Sequence, residues 1–141
     1  LTSHYVVRTS WLYGPYGKNF VETIKGRALR EKETCVVTDQ IGSPTFTYDL
    51  AHCTLQLIGK PYGTYHISNT GQCSWYEFAK KIYELLGKDP KLVKPITSQE
   101  FKQVAKRPAY SVFSNEKIKN AKVIGLRPWL EALKVYLNEV K

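Results

Sequence analysis

The chain has 141 residues, of which 43% are hydrophobic, 13% aromatic and 23% charged. One globular domain with a sizeable core is expected, and intrinsic disorder is excluded. No apolar run approaches the roughly 20 residues of a membrane span, and no basic-then-apolar leader opens the chain.

Residues 5–9 (Tyr5-Val6-Val7-Arg8-Thr9) are largely β-branched or aromatic and read as a strand, running into the Gly/Pro loop Tyr13-Gly14-Pro15-Tyr16-Gly17. Asn19 then opens a helix, with Glu22 three residues on as in a capping box. Phe20, Ile24 and Ala28 form its apolar stripe, Arg27 and Arg30 its wet face, and Glu31-Lys32-Glu33 its end. Thr34-Cys35-Val36-Val37 reads as a second strand, followed by the polar loop Asp39-Gln40-Ile41-Gly42-Ser43-Pro44-Thr45. Residues 48–58 read as a helix with Leu50, Cys53, Leu57 and Ile58 on one face and Gly59 as its stop.

Residues 63–69 read as a third strand. Ser74-Trp75-Tyr76-Glu77 is a capping box opening a helix with Phe78, Ile82, Leu85 and Leu86 inward and Gly87 at its end. Thr97-Ser98-Gln99-Glu100 opens a short helix around Phe101 and Val104, broken at Lys106-Arg107-Pro108. Ser114 caps a turn through Ile118. Pro128 starts a last helix with Trp129, Leu133, Tyr136, Leu137 and Val140 on one side. Strands alternating with capped helices mean an α/β fold with a few short, mainly parallel strands. Three strands make a thin sheet, and there is no Met anywhere in the chain. Both suggest a piece of a longer protein, completing a larger sheet.

The three cysteines, Cys35, Cys53 and Cys73, fit neither a disulfide framework nor a zinc cage and read as small buried thiols in a reducing cytoplasm. His4, His52 and His66 have no metal spacing, so no metal site is expected. The chain carries 21 Lys and Arg against 12 Asp and Glu, +9 in all. The excess is uneven: residues 1–90 hold 10 basic and 8 acidic side chains, residues 91–141 hold 11 and 4. A basic half suggests phosphates of a small molecule, a nucleic acid or an acidic neighbouring segment as partner. No nucleic-acid motif accompanies the charge, so nucleic acid is not the expected partner.

The dinucleotide fingerprint G-x-G-x-x-G, the Walker A loop and the G-x-S-x-G elbow are all absent. Tyr76-Glu77-Phe78-Ala79-Lys80 matches Y-x-x-x-K, in which a lysine lowers a tyrosine pKa for proton relay. Two fixed letters in five are met often by chance, and Tyr76 falls in a first helical turn, so the match reads as a decoy. Loops beyond strand C-termini are better placed to bind ligands. In Ser10-Trp11-Leu12-Tyr13-Gly14-Pro15, Trp11 either stacks on a flat ligand or fills the core. The loop 39–45 either binds or is ordinary surface. Arg107 has a fork suited to a diphosphate, or is simply exposed.

Four strings, Arg8-Thr9-Ser10-Trp11-Leu12-Tyr13-Gly14, Gly17-Lys18-Asn19-Phe20, Asp39-Gln40-Ile41-Gly42-Ser43-Pro44-Thr45 and Arg107-Pro108-Ala109-Tyr110-Ser111, occur in order over nearly the whole chain. Together they resemble the C-terminal, substrate-binding part of the dTDP-4-dehydrorhamnose reductase family, among the extended short-chain dehydrogenases. The resemblance implies that residues 1–141 form a sugar-nucleotide-binding domain, a C-terminal fragment of an extended Rossmann-type reductase. The N-terminal lobe that would hold most of the NADPH (or NADH) would be missing.

The implied reaction is reduction of dTDP-4-dehydro-L-rhamnose to dTDP-L-rhamnose, a step in rhamnose and polysaccharide biosynthesis, in the cytoplasm and away from membranes. The fragment would be inactive alone, with no catalytic residue of its own, since the family's Tyr-x-x-x-Lys would lie before Leu1. The implied partners are the dTDP-sugar and the missing lobe, with a homodimer as a possible assembly. Trp11, Asn19, Gln40, Pro44 and Arg107 would face the substrate and Ser10 the cofactor. Val112 stands where the family often has a longer polar or basic side chain. A regulatory binding subunit on the same scaffold, or another nucleotide-sugar epimerase or dehydratase, are the alternative readings.

Overall fold

The structure is a computed structural model describing residues 3–101, 105 and 107–139. In chain order its elements are β1 (Tyr5–Arg8), β2 (Leu12–Tyr13), α1 (Phe20–Leu29), β3 (Thr34–Val37), β4 (Ile41–Gly42), β5 (Thr45–Phe46) and α2 (Thr47–Leu55). There follow β6 (Gly63–His66), β7 (Cys73–Ser74), α3 (Trp75–Leu85), a 3-10 turn (Pro90–Leu92), β8 (Val93–Ile96), α4 (Glu116–Asn120) and α5 (Trp129–Glu139). β1 pairs with β6, β2 with β5 and β3 with β8, all parallel; β4 pairs antiparallel with β7. The mainly parallel α/β architecture is as expected, but it is assembled from four separate two-stranded ladders among the described residues. Among those residues no helix is long and apolar enough to cross a membrane.

The helix starts follow their caps. Asn19 is extended and its side-chain oxygen accepts the Glu22 N–H at 3.0 Å. The Glu22 carboxylate does not complete a box. It lies 2.6 Å from the Tyr136 hydroxyl and 3.5 Å from Lys25 Nζ. At α3 the box is complete: Ser74 Oγ accepts from Glu77 N–H at 3.1 Å, and Ser74 N–H donates to Glu77 Oε2 at 2.7 Å. Pro128 stands just before α5, and its carbonyl accepts the Ala132 N–H at 3.1 Å.

Several expectations are corrected. Strand β8 was not foreseen; Pro95 and Lys94 disguise it, yet Pro95 sits tolerably in a strand whose ladder has a single partner. Ile58 lies beyond α2 and is exposed, and Tyr83 rather than Leu85 takes the inner face of α3. In α1 Val21 is fully buried whereas Phe20 is only partly covered. Thr97 and Glu100 bond reciprocally, but as a turn and not a helix. Val104, Lys106 and Val140 lie outside the described residues. Cys53 and Cys73 are buried as expected, but Cys35 is exposed.

Two apolar clusters hold the fold. The larger joins α1, α3 and α5 around Tyr13, Phe46, Phe78 and Tyr136, with Tyr13 centred 5.6 Å from Phe46 and 5.3 Å, edge-on, from Tyr136. Each such ring contributes a few kcal/mol by burial, roughly 1.5–3 for a Phe-sized side chain. Burial raises the Tyr13 and Tyr136 hydroxyls well above the usual phenol range, aided by Asp49 at Tyr13 and by Glu22 at Tyr136. The smaller cluster packs Cys53, Leu57, Tyr65, Ile67, Ile118 and Val123 under the β1–β6 ladder.

A polar latch lies between the clusters. Asp49 is 3% exposed; it accepts from Asn69 Nδ2 at 2.6 Å and pairs with Arg127 at 2.9 Å. Asn69 is fully buried, accepts the Phe46 N–H at 2.8 Å and donates to the Arg127 carbonyl at 3.1 Å. In the sequence Asp49 is one polar residue of α2 with no mark of this role.

Candidate functional site

One cleft, of about 910 Å³, runs along the ends of β1 and β3. Ser10 and Trp11 enter it from the β1–β2 connection, and Phe20, Thr23, Ile24 and Arg27 from one face of α1. Residues 33–37 and Gln40 form a second wall, Trp75 the floor, and Phe101, Arg107, Pro108 and Ser111 the rim. That size suits a ligand larger than a single sugar ring.

Its central feature is a pair of indoles. Trp11 and Trp75 stack with ring centroids 3.6 Å apart and planes within 9°. Phe20 tilts against Trp75 at 4.4 Å. Trp11 adopts the left-handed backbone, φ 48°, which costs a non-glycine residue about 1 kcal/mol or more. The indole then lies directly over Gly42, where any Cβ would collide with it. Thr45 N–H donates to the Trp11 carbonyl at 3.1 Å, extending the β2–β5 pairing to the turn itself.

The polar groups come from segments tied to this pair. Gln40 is only 5% exposed, yet its amide has no hydrogen-bond partner among the described residues, and it lines the cleft. An amide placed there is free to meet a polar group that enters the cleft. Ser10 Oγ donates to the Ser43 carbonyl at 3.2 Å, and Ser43 Oγ to the Gly71 carbonyl at 2.7 Å. Ile41 N–H donates to the Ala109 carbonyl at 2.8 Å and Ser111 N–H to the Ile41 carbonyl at 2.9 Å, which fixes the stretch carrying Arg107 against β4. Arg27 and Arg107 line the cleft as exposed guanidiniums, with Glu33 as a lining carboxylate.

Trp11, Gln40, Arg107 and Ser10 thus line one cleft, and Trp11 does both of the things considered for it: it packs against the larger apolar cluster and it lines the cleft. Asn19 and Pro44 do not line it. Asn19 uses both ends of its amide in structure, accepting from Glu22 N–H and donating to the Gly14 carbonyl at 2.9 Å. Pro44 is buried between β4 and β5. Tyr76 and Lys80 are also absent from the cleft; Lys80 Nζ sits 5.5 Å from the Tyr76 ring. Among the described residues no three His, Cys, Asp or Glu side chains are grouped as metal ligands. Phe20, Arg27, Cys35 and Trp75 were missed as cleft residues. Phe20 stood in one of the family strings, and Trp75 had a signal of its own, an indole at a capped helix start beside a buried strand.

The family model for the RmlD substrate binding domain matches residues 1–141. The chain is 48% identical over 136 residues to the Bacillus subtilis spore coat polysaccharide biosynthesis protein SpsK, covering 95% of this chain and 47% of that protein. It is 40% identical over 132 residues to a Mycolicibacterium smegmatis dTDP-4-dehydrorhamnose reductase, covering 92% of this chain and 40% of the relative. Among solved structures, the Bacillus anthracis dTDP-4-dehydrorhamnose reductase in complex with NADP superposes with a TM-score of 0.90 at 44% identity, over 96% of this chain and 48% of the other. The chain spans about half the length of the curated relatives it matches.

Proposed function

Because the chain belongs to the family of the RmlD substrate binding domain, we propose that its cleft holds the dTDP-sugar of a reductase whose product is dTDP-L-rhamnose. The observation that carries this reading is the Trp11–Trp75 stack with the unpaired Gln40 amide and the Arg107 guanidinium along one cleft. The exposed margin of the stacked indoles offers apolar surface to a base or to the apolar side of a sugar. A guanidinium fork pairs two diphosphate oxygens at once. The Gln40 amide both donates, through its NH2, and accepts, through its carbonyl oxygen, enough to orient a hydroxyl or a base edge. Asn19 and Pro44 shape this wall from behind: Asn19 fixes the start of α1, and Pro44 holds the turn between β4 and β5.

NADPH, when bound, supplies the hydride for the sugar's 4-keto carbon. The fit of this chain to that group is slight. Ser10 is the residue nearest in expectation, and its proton is already given to the Ser43 carbonyl at 3.2 Å, leaving only lone pairs. We therefore assign the cofactor's seat and the proton donor to residues outside this chain, in a Rossmann lobe joined to it. The role left to these residues is to bind, orient and shield the sugar nucleotide. The same reading sets the protein in the cytoplasm, where nucleotide sugars are made, and includes an assembly of two copies, tested by sedimentation of the full-length protein.

The test is NADPH oxidation by the full-length protein with dTDP-4-dehydro-L-rhamnose, beside calorimetric titration with dTDP. Turnover with dTDP as competitive inhibitor is the expected result. Binding without turnover gives the regulatory-subunit reading instead, and neither binding nor turnover by the folded protein overturns the assignment.

A further inference from the structure

The three thiols stand in different surroundings. Cys53 and Cys73 are buried, and burial pushes the Cys53 thiol up to about 11 and the Cys73 thiol higher still, with Asp49 and Glu77 adding to the respective shifts. Thiols held neutral in this way react slowly. Cys35 is exposed. Strand alternation explains it: Thr34 and Val36 turn inward, Thr34 Oγ1 meeting the Tyr83 hydroxyl at 3.0 Å, so Cys35 turns to the opposite face. Cys35 is at the same time one of the residues lining the large cleft, along with its strand neighbours Thr34, Val36 and Val37.

A second observation marks the same cleft as a ligand seat. Gln40 is 95% buried by its 5% exposure, its amide has no partner among the described residues, and it lines the space that Cys35 also lines. A polar molecule occupying the cleft to satisfy that amide lies along the wall carrying the thiol.

We propose that Cys35 is a covalent modification site at which a low-molecular-weight disulfide and the cleft's ligand exclude one another. The inference rests on the reading of the cleft as the dTDP-sugar site. The Cys35 thiolate attacks one sulfur of the disulfide. A new S–S bond forms to Sγ as the old one breaks, and the departing thiolate takes a proton from water. Cys35 is oxidised to a mixed disulfide, and half of the reagent is reduced to a thiol. A dithiol reverses the exchange. Arg27 and Arg107 line the same cleft and favour an anionic reagent, with Glu33 opposing them.

The test uses the full-length protein treated with oxidised glutathione, followed by intact-mass and peptide mapping, with calorimetric dTDP titration before and after. One adduct on Cys35, slowed about tenfold by saturating dTDP, and a dTDP affinity reduced by about tenfold or more and restored by dithiothreitol, are expected. In C35S, and in C35A should the serine variant fold poorly, treatment leaves dTDP affinity equal to that of the same variant untreated. Adduct forming first on Cys53 or Cys73, no adduct on Cys35, or a Cys35 adduct with unchanged dTDP affinity overturns the inference while leaving the cleft reading intact. Untreated protein that binds no dTDP overturns the cleft reading first, and the exclusion with it.

Discussion

The two apolar clusters are built differently. The larger is a meeting of rings, and its margin reaches the surface as Phe20, Trp75 and Trp11, which become the cleft wall. The smaller, under the β1–β6 ladder, is mostly aliphatic, with Tyr65 inside and Tyr5 at its margin, and carries none of the cleft-lining residues. Cleft wall and core therefore share atoms in one half, while the other half acts as a brace. The latch of Asp49, Asn69 and Arg127 joins them: Asp49 rides on α2 with Cys53, and Asn69 grips the backbone of Phe46 in the larger cluster.

Cutting the latch is the severest way to break that arrangement. Asp49→Ala leaves Arg127 and the Asn69 amide without their anion, and about 3 kcal/mol of unfolding free energy is expected to be lost, read from urea denaturation. A loss under about 1 kcal/mol would show that the clusters stand independently. Next comes the shared margin. Gly42→Ala drives a methyl into the Trp11 indole, costing about 2 kcal/mol by overpacking and weakening dTDP binding in the same variant. Gly26→Ala is the matched control within α1: a Cβ there meets nothing, so it should stabilise by about 1 kcal/mol and leave binding alone. Equal effects of the two alanines would separate the cleft wall from the core beneath it.

The smallest effect concerns pH. Hydrogen bonds from the Ser98 hydroxyl and backbone hold Asp39 below its ordinary 3.8. Glu100 is held down in the same way by the Thr97 backbone and hydroxyl. A lowered folded-state pKa stabilises above the ordinary value, and that contribution disappears as pH falls through the lowered one. Both groups are exposed, so the acid slope below about pH 4 should be shallow, and shallower still in Asp39→Asn.

What could be read from the chain was what neighbours in sequence decide. Strand β3 and the Ser74–Glu77 capping box need only adjacent residues, and both stand as expected. Asp49 could not be read, because its partners Asn69 and Arg127 arrive from other segments and an isolated aspartate in a helix carries no mark of burial. Cys35 misled because its Val-Val neighbours signal an interior strand, whereas β3 runs along the cleft and alternation leaves Cys35 exposed. For the site, the four family strings pointed to Trp11, Gln40 and Arg107, which converge. Asn19, in one of the same strings, is instead spent as the helix cap that its spacing to Glu22 foretold, and the strings did not include Trp75, the partner of Trp11.

The indole pair has an optical consequence. Two chromophores stacked at 3.6 Å couple their transitions, whereas Trp129, edge-on to Phe78, stands apart from them. The cleft wall is thereby its own spectroscopic probe: a ring sliding onto or off that pair alters circular dichroism and emission without any attached dye.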